Sequence, residues 1–353
     1  MQLQDVSDFA HANRIVCHAC RVLLENLARM VPNHRNFFFF FSVVNLLRRE
    51  VVNLERRDPV NLFRRTVVNF TGAYSLSTKK TKLIGIVIRN FQNPFYTSAL
   101  SKFYHHLALK GYHLILINAE NELIQEKEIN QLLHYSVEGV IITDALLGST
   151  EAERFSRHNI SVVLFNRYVD NLKHNAVYGD DYLAGRQMAT YLTGMGHQSF
   201  AFISGETKSS TNINRKRGFE DVLKERGIKK WVVQEGAYSY ESGFKLAQEL
   251  MSRREKIDCI FCANDIIAIG AMEGIRKMGL RIPNDVSVAG CDNIYVSAWP
   301  SFSLTTWEHS TEEMVEEAVR LLVDEIAGET KEYKTVVVKG SLVIRDSVAR
   351  KQA

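Results

Sequence analysis

The 353-residue sequence has few cysteines and no apolar run long enough to cross a bilayer. Its five thiols, Cys17, Cys20, Cys259, Cys262 and Cys291, are an odd number and too few to staple a secreted scaffold of this length, so a cytoplasmic setting is expected. The longest greasy run, residues 37–47, is broken by Ser42 and Asn45 and falls short of the roughly 20 apolar residues that a span requires. The N-terminus lacks a basic stretch followed by an apolar core, so export is disfavoured as well. Glycine is almost missing from the first 82 residues, where only Gly72 occurs. No Ser-His-Asp set, phosphate loop or metal-spaced His/Glu pair stands out, so neither an enzyme nor a cofactor nor a metal site is expected. Cys17/Cys20 and Cys259/Cys262 have the two-residue gap of zinc ligands, but the second pair sits in the apolar run 257–263, where a buried strand is expected.

Charge and repetition divide the chain unevenly. Residues 1–82 carry 13 Lys+Arg against 6 Asp+Glu, whereas the remainder is slightly acidic, so a polyanion-binding element preceding a domain with another task is expected. Residues 43–70 repeat with a period of eight: VVNLLRRE, VVNLERRD, PVNLFRRT, VVNF. Eight residues advance a helix by two turns plus about 80°, so equivalent side chains wind around the axis and no apolar face forms. This favours a poorly ordered basic insertion over a dedicated interaction arm.

From Lys82 onwards, β-branched runs alternate with amphipathic stretches. LIGIVI (83–88), YHLILIN (112–118), EGVIIT (138–143), SVVLF (161–165), a short strand near 177–179, SFAFIS (199–204), WVVQEG (231–236), IDCIFCA (257–263) and VSVAGC (286–291) read as buried parallel strands. Helices are expected near 95–110, 123–135, 149–157, 182–195, 214–226, 240–253 and 265–278. Two successive βα sets imply an α/β protein of two doubly wound, Rossmann-like lobes, with ligand bound in a cleft beyond the strand carboxyl ends.

Ten short motifs in order, including NPFY (93–96), KGY (110–112), GMGH (194–197), RKRGF (215–219), AND (263–265), GCD (290–292), LTT (304–306) and LVIRDS (342–347), resemble the lactose/galactose repressor (LacI/GalR) family over about residues 76–349. That resemblance implies a type I periplasmic-binding-protein-like effector domain behind a DNA-binding head. Effector contacts are expected from Phe95, Tyr96, Thr211, Arg215, Tyr238, Asn264 and Asp292. Arg215 offers a guanidinium fork at the start of a helix, with a surface salt bridge as the alternative. Asn264 and Asp292 follow buried strands, though Asn264 is equally suited to capping a helix. The aromatics Phe95, Tyr96 and Tyr238 suit either ligand stacking or plain core. His309 stands where many family members carry Gln.

The N-terminus matches less well. DVSDFA (5–10) and CRVL (20–23) resemble parts of a helix-turn-helix, but His11 replaces the turn glycine, so a small, degenerate α-helical head is expected. NFTGAYSL (69–76) resembles the hinge that enters the minor groove; deleting about three octads, roughly 24 residues, would restore its family-like distance from the head. The implied layout is a head at 1–42, the octad insertion at 43–68, a hinge at 69–82 and a two-lobed effector and dimerisation domain at 83–349. DNA contacts are expected from Arg14, Arg21, Ala73, Leu76 and Lys79. The resulting expectation is a homodimeric transcriptional regulator, a repressor, that binds an operator and a sugar-like effector; the alternative is a ligand-binding module whose head no longer functions. Ala99, Phe103 and Leu107 are candidate dimer contacts or, equally, intradomain core.

Overall fold

A computed structural model describes residues 80–351, apart from 145, 170–172, 255 and 331. The head, the octad repeats, and Arg14, Arg21, Ala73, Leu76 and Lys79 therefore lie outside the described residues. In the first lobe, β1 (Leu83–Ile88), β2 (His113–Asn118), β3 (Gly139–Ile142), β4 (Ser161–Phe165), β5 (Asn175–Gly179) and β11 (Thr335–Val338) form an all-parallel sheet in the order β11-β5-β4-β3-β1-β2. Its helices are α1 (Pro94–Leu109), α2 (Glu126–His134) and α3 (Ser149–Arg157).

The second lobe repeats the plan. Strands β6 (Ser199–Ile203), β7 (Lys230–Gln234), β8 (Cys259–Cys262), β9 (Ser287–Cys291), β10 (Thr305–His309) and β12 (Gly340–Val343) order as β12-β10-β9-β8-β6-β7, with β12 alone antiparallel to its neighbour. Helices α4 (Asp181–Gly194), α5 (Ser210–Glu225), α6 (Tyr240–Met251) and α7 (Asp265–Lys277) flank it. Sequence reading located nine strands and seven helices; β10, β11, β12 and α8 (Thr311–Ala327) are additions.

Those additions show that the lobes are not two consecutive halves of the chain. The chain passes between them at Asp180, again at Ser310 and again at Lys339. Helix α8 follows a strand of the second sheet, yet Met314, Val315, Ala318, Val319 and Leu322 pack into the first-lobe core with Phe103 and Phe165. Ala99, Phe103 and Leu107 belong to that same core, so they are not surface dimer contacts; the exposed apolar side chains of α1 are Tyr104 and Leu109, at 67% and 70% exposure. Cys259 and Cys262 lie in the interior strand β8, where burial pushes both thiols up and away from the ligating thiolate form.

One close approach fixes the geometry that matters later. Helices α4 and α5 meet through Gly185 and Gly218: a Cβ on the first would collide with the Arg215 carbonyl oxygen and one on the second with that of Tyr182. The two backbones therefore touch, and the side chains of Asp181 and Arg215, near the same ends of the two helices, come into direct contact.

Candidate functional site

In both sheets the strand order reverses beside the first strand, between β1 and β3 and between β6 and β8, and the residues following these strands face one another across a cleft. Arg89 and Asn90 follow β1, Asp144 follows β3, and Asn166 and Arg167 follow β4. Asn93 caps α1 by accepting from the Phe95 N–H at 3.0 Å, with Pro94 at the first helical position, and Tyr96 points into the cleft from the first turn. The second lobe contributes Thr211 and Arg215 from α5, Tyr238 before α6, Asn264 after β8 and Asp292 after β9. Together these twelve residues surround about 340 Å³ of empty space.

Six of the seven residues expected to contact effector line this cleft. Phe95 does not: it is buried in the first-lobe core, edge-on to Tyr96 at 5.2 Å and to His309 at 6.4 Å. Asn264 both lines the cleft and caps α7, its Oδ1 accepting from the Ile267 N–H at 2.9 Å. Thr211 shares a hydrogen bond with the Tyr238 hydroxyl at 3.2 Å, and Gly205 leaves room for the Tyr238 ring, which any Cβ there would strike.

Arg215 departs from its expected role. It is the sixth residue of α5 rather than the first and is 2% exposed, not a surface ion pair. Its Nε donates to Asp181 at 2.6 Å and its Nη1 to the Ala263 carbonyl; Nη2 donates to His309 Nε2 at 3.0 Å and lies 3.4 Å from Asp292. The His309 nitrogen that accepts from a guanidinium carries no proton, in line with a pKa held well below the ordinary range first by burial and then by Arg215. Burial pushes Asp181 up to about 6 and Asp292 up to about 7, with Arg215 opposing both shifts. Asp292 also carries a positive φ of 122°, a strained backbone for a residue with a Cβ. Cys291, Asp292 and His309 hold potential ligand atoms within 4.8 Å of one another, but the Arg215 guanidinium already supplies the positive charge there.

Direct bonds cross the cleft. Glu206, beyond β6, pairs with Arg89 and lies 3.7 Å from Arg167. The Asn90 amide donates to the Tyr238 carbonyl at 3.2 Å, the Tyr168 N–H to the Ser210 hydroxyl at 3.2 Å, and the Asn214 amide to the Tyr168 hydroxyl at 3.0 Å. Asp144 spends both oxygens on the backbone N–H groups of Arg89 and Asn90, each at 2.7 Å, and so shapes the loop after β1.

A periplasmic binding protein-like domain matches residues 189–348. The HTH-type transcriptional repressor PurR of Erwinia tasmaniensis is 32% identical over 292 residues, 78% of this chain and 83% of the relative. The chain belongs to the LacI family of transcriptional regulators. Among solved structures, a LacI-family regulator from Enterococcus faecium with bound ribose shares the fold at a TM-score of 0.71 and 24% identity, over 76% of this chain and all of that one. The transcriptional regulator CelR in complex with cellobiose aligns at a TM-score of 0.70 and 25% identity, over 85% of this chain and 94% of that one. Among the described residues of the regulator, no helix is long and apolar enough to cross a membrane.

Arg89, Asn90, Asn93, Asp144, Asn166 and Arg167 line the cleft but were not singled out from sequence. Most of them were findable, since five of the six sit immediately beyond the last residue, or one further, of a run read as a parallel strand.

Proposed function

We propose that this LacI-family chain is a repressor that binds its operator as a homodimer, and that a small polar effector, a sugar or related metabolite, held between the lobes sets its DNA affinity. The observation that carries the reading is the polar cleft at the carboxyl ends of both parallel sheets, lined from both lobes and spanned by direct hydrogen bonds. Any occupant of that space exchanges contacts with both lobes at once, so its binding energy is coupled to their relative position. Tyr96, Thr211, Tyr238, Asn264 and Asp292 supply the contacts, while Arg215 organises the second-lobe wall. The relatives named repressors and the CelR–cellobiose complex agree with this reading.

The test is titration calorimetry of the full chain against neutral and charged sugars, with light scattering at micromolar concentration alongside. Saturable one-to-one binding by a dimer is expected. A chain that binds none of the panel, or stays monomeric, contradicts the proposal.

A further inference from the structure

Two adjoining cleft residues carry unused hydrogen-bonding capacity of opposite kinds. Asn166 and Arg167 follow β4, and each is 5% exposed. The Asn166 backbone is pinned at a positive φ of 64°, with its N–H donating to the Val177 carbonyl at 2.8 Å. Its Nδ2 donates to the Tyr96 hydroxyl at 3.2 Å, which leaves Oδ1 turned into the site with no partner. Arg167 has Nε and Nη1 without partners; its Nη2 stands 3.7 Å from Glu206, too far for a hydrogen bond, and its guanidinium lies 5.9 Å from the Tyr238 ring centroid. Buried polar groups of this kind are nearly always paired, so a lone acceptor beside two lone donors, all facing one cavity, describes the group that belongs between them.

We infer that Asn166 and Arg167 together read one hydroxyl of the effector, Arg167 donating to its oxygen and Asn166 Oδ1 accepting its hydrogen, and so select a neutral polyhydroxy molecule over its phosphorylated or carboxylated counterpart. This rests on the cleft being the effector site. A hydroxyl is donor and acceptor at a single atom, whereas a carboxylate or phosphate oxygen can only accept. An oxyanion placed here satisfies Arg167 but sets negative charge against the Asn166 carbonyl oxygen. Nor does the cleft hold cationic charge in excess. Arg89 and Arg167 share Glu206 beside Asp144, and Arg215 is already matched by Asp181 and Asp292. A second negative group would therefore enter without a free counter-charge.

The experiment titrates the full chain with ribose, cellobiose and a panel of neutral monosaccharides, and with ribose 5-phosphate, glucose 6-phosphate and gluconate as charged counterparts. At least one neutral sugar is expected to bind, with its charged counterpart at least tenfold weaker. Arg167→Lys, which keeps the charge but loses the two donors, weakens the neutral sugar at least tenfold and narrows the neutral-to-charged ratio. The ratio for the unsubstituted chain decides the matter even if a variant fails to fold. A charged counterpart that binds as tightly as the neutral sugar overturns this inference and leaves the cleft as the effector site. A chain that binds nothing in the panel overturns both. An Arg167→Lys chain that folds and binds within twofold of the parent removes Arg167 from the reading.

Discussion

Replacing Arg215 with Met tests whether this side chain is chiefly a ligand contact or a strut of the second lobe. Methionine keeps much of the volume, so the cavity contribution is small and the charge is what is lost. Asp181 and Asp292 then stay buried with no cation, and the Ala263 carbonyl and His309 Nε2 lose their donor. Removing one partner of a buried ion pair costs about 3–5 kcal/mol. At about 2–4 °C per kcal/mol for chains of this size, melting should fall by about 6–20 °C. The loss should also depend on pH in a set direction. Without Arg215, which holds both carboxyls down, Asp181 and Asp292 keep their protons to higher pH, so the penalty is smaller at pH 5 than at pH 8. Thermal unfolding followed by circular dichroism at the two pH values reads both effects. A variant that melts within about 2 °C of the parent, or loses more stability at pH 5 than at pH 8, refutes the strut.

Other outcomes follow from the same geometry. Burial raises Asp292 to about 7, and Asp181 and Asp265 to about 6, above an ordinary carboxylate. A proton held longer in the folded than in the unfolded state stabilises at low pH and ceases to do so as pH climbs, so this group's contribution falls from about pH 4 to pH 7. Asp292→Asn should flatten that fall in calorimetric scans. Glu206→Gln removes the partly exposed bridge to Arg89 and Arg167; it should change stability by about 0–1 kcal/mol yet enlarge the radius of gyration in solution scattering, and an unchanged radius would remove Glu206 from lobe closure. Deleting residues 43–66 should sharpen footprints on DNA, whereas the full chain should bind with a steep salt slope and little sequence preference; a sharp, salt-resistant footprint from the full chain contradicts the weakened head.

Much of the fold is legible because buried parallel strands announce themselves as continuous β-branched runs: LIGIVI and SVVLF are found where expected, as β1 and β4. The final quarter was harder. Strand β10, with Thr305, Thr306 and Glu308, and strand β12, with Gly340 and Ser341, have mixed composition, and α8 is amphipathic but gives no local sign that it packs on the lobe opposite the strand before it. Cleft residues at strand ends were readable for Asn264 and Asp292 by the same rule that would have found Asp144 and Arg167. What sequence could not supply is the pairing of Arg215 with Asp181, 34 positions apart, which depends on two helix backbones touching at Gly185 and Gly218. Phe95 and Tyr96 are neighbours with opposite fates, since helical rotation turns one into the core and the other towards the cleft.

The central claim is that cleft occupancy and DNA binding are one coupled equilibrium, and reciprocity tests it most directly. DNA enriched from a random pool by the full chain is titrated with and without the neutral sugar that the calorimetry identifies, and the sugar is titrated with and without saturating DNA. The account predicts that the sugar changes DNA affinity by some factor well away from one, and that DNA changes sugar affinity by that same factor. Equal sugar affinity in the presence and absence of DNA would contradict it.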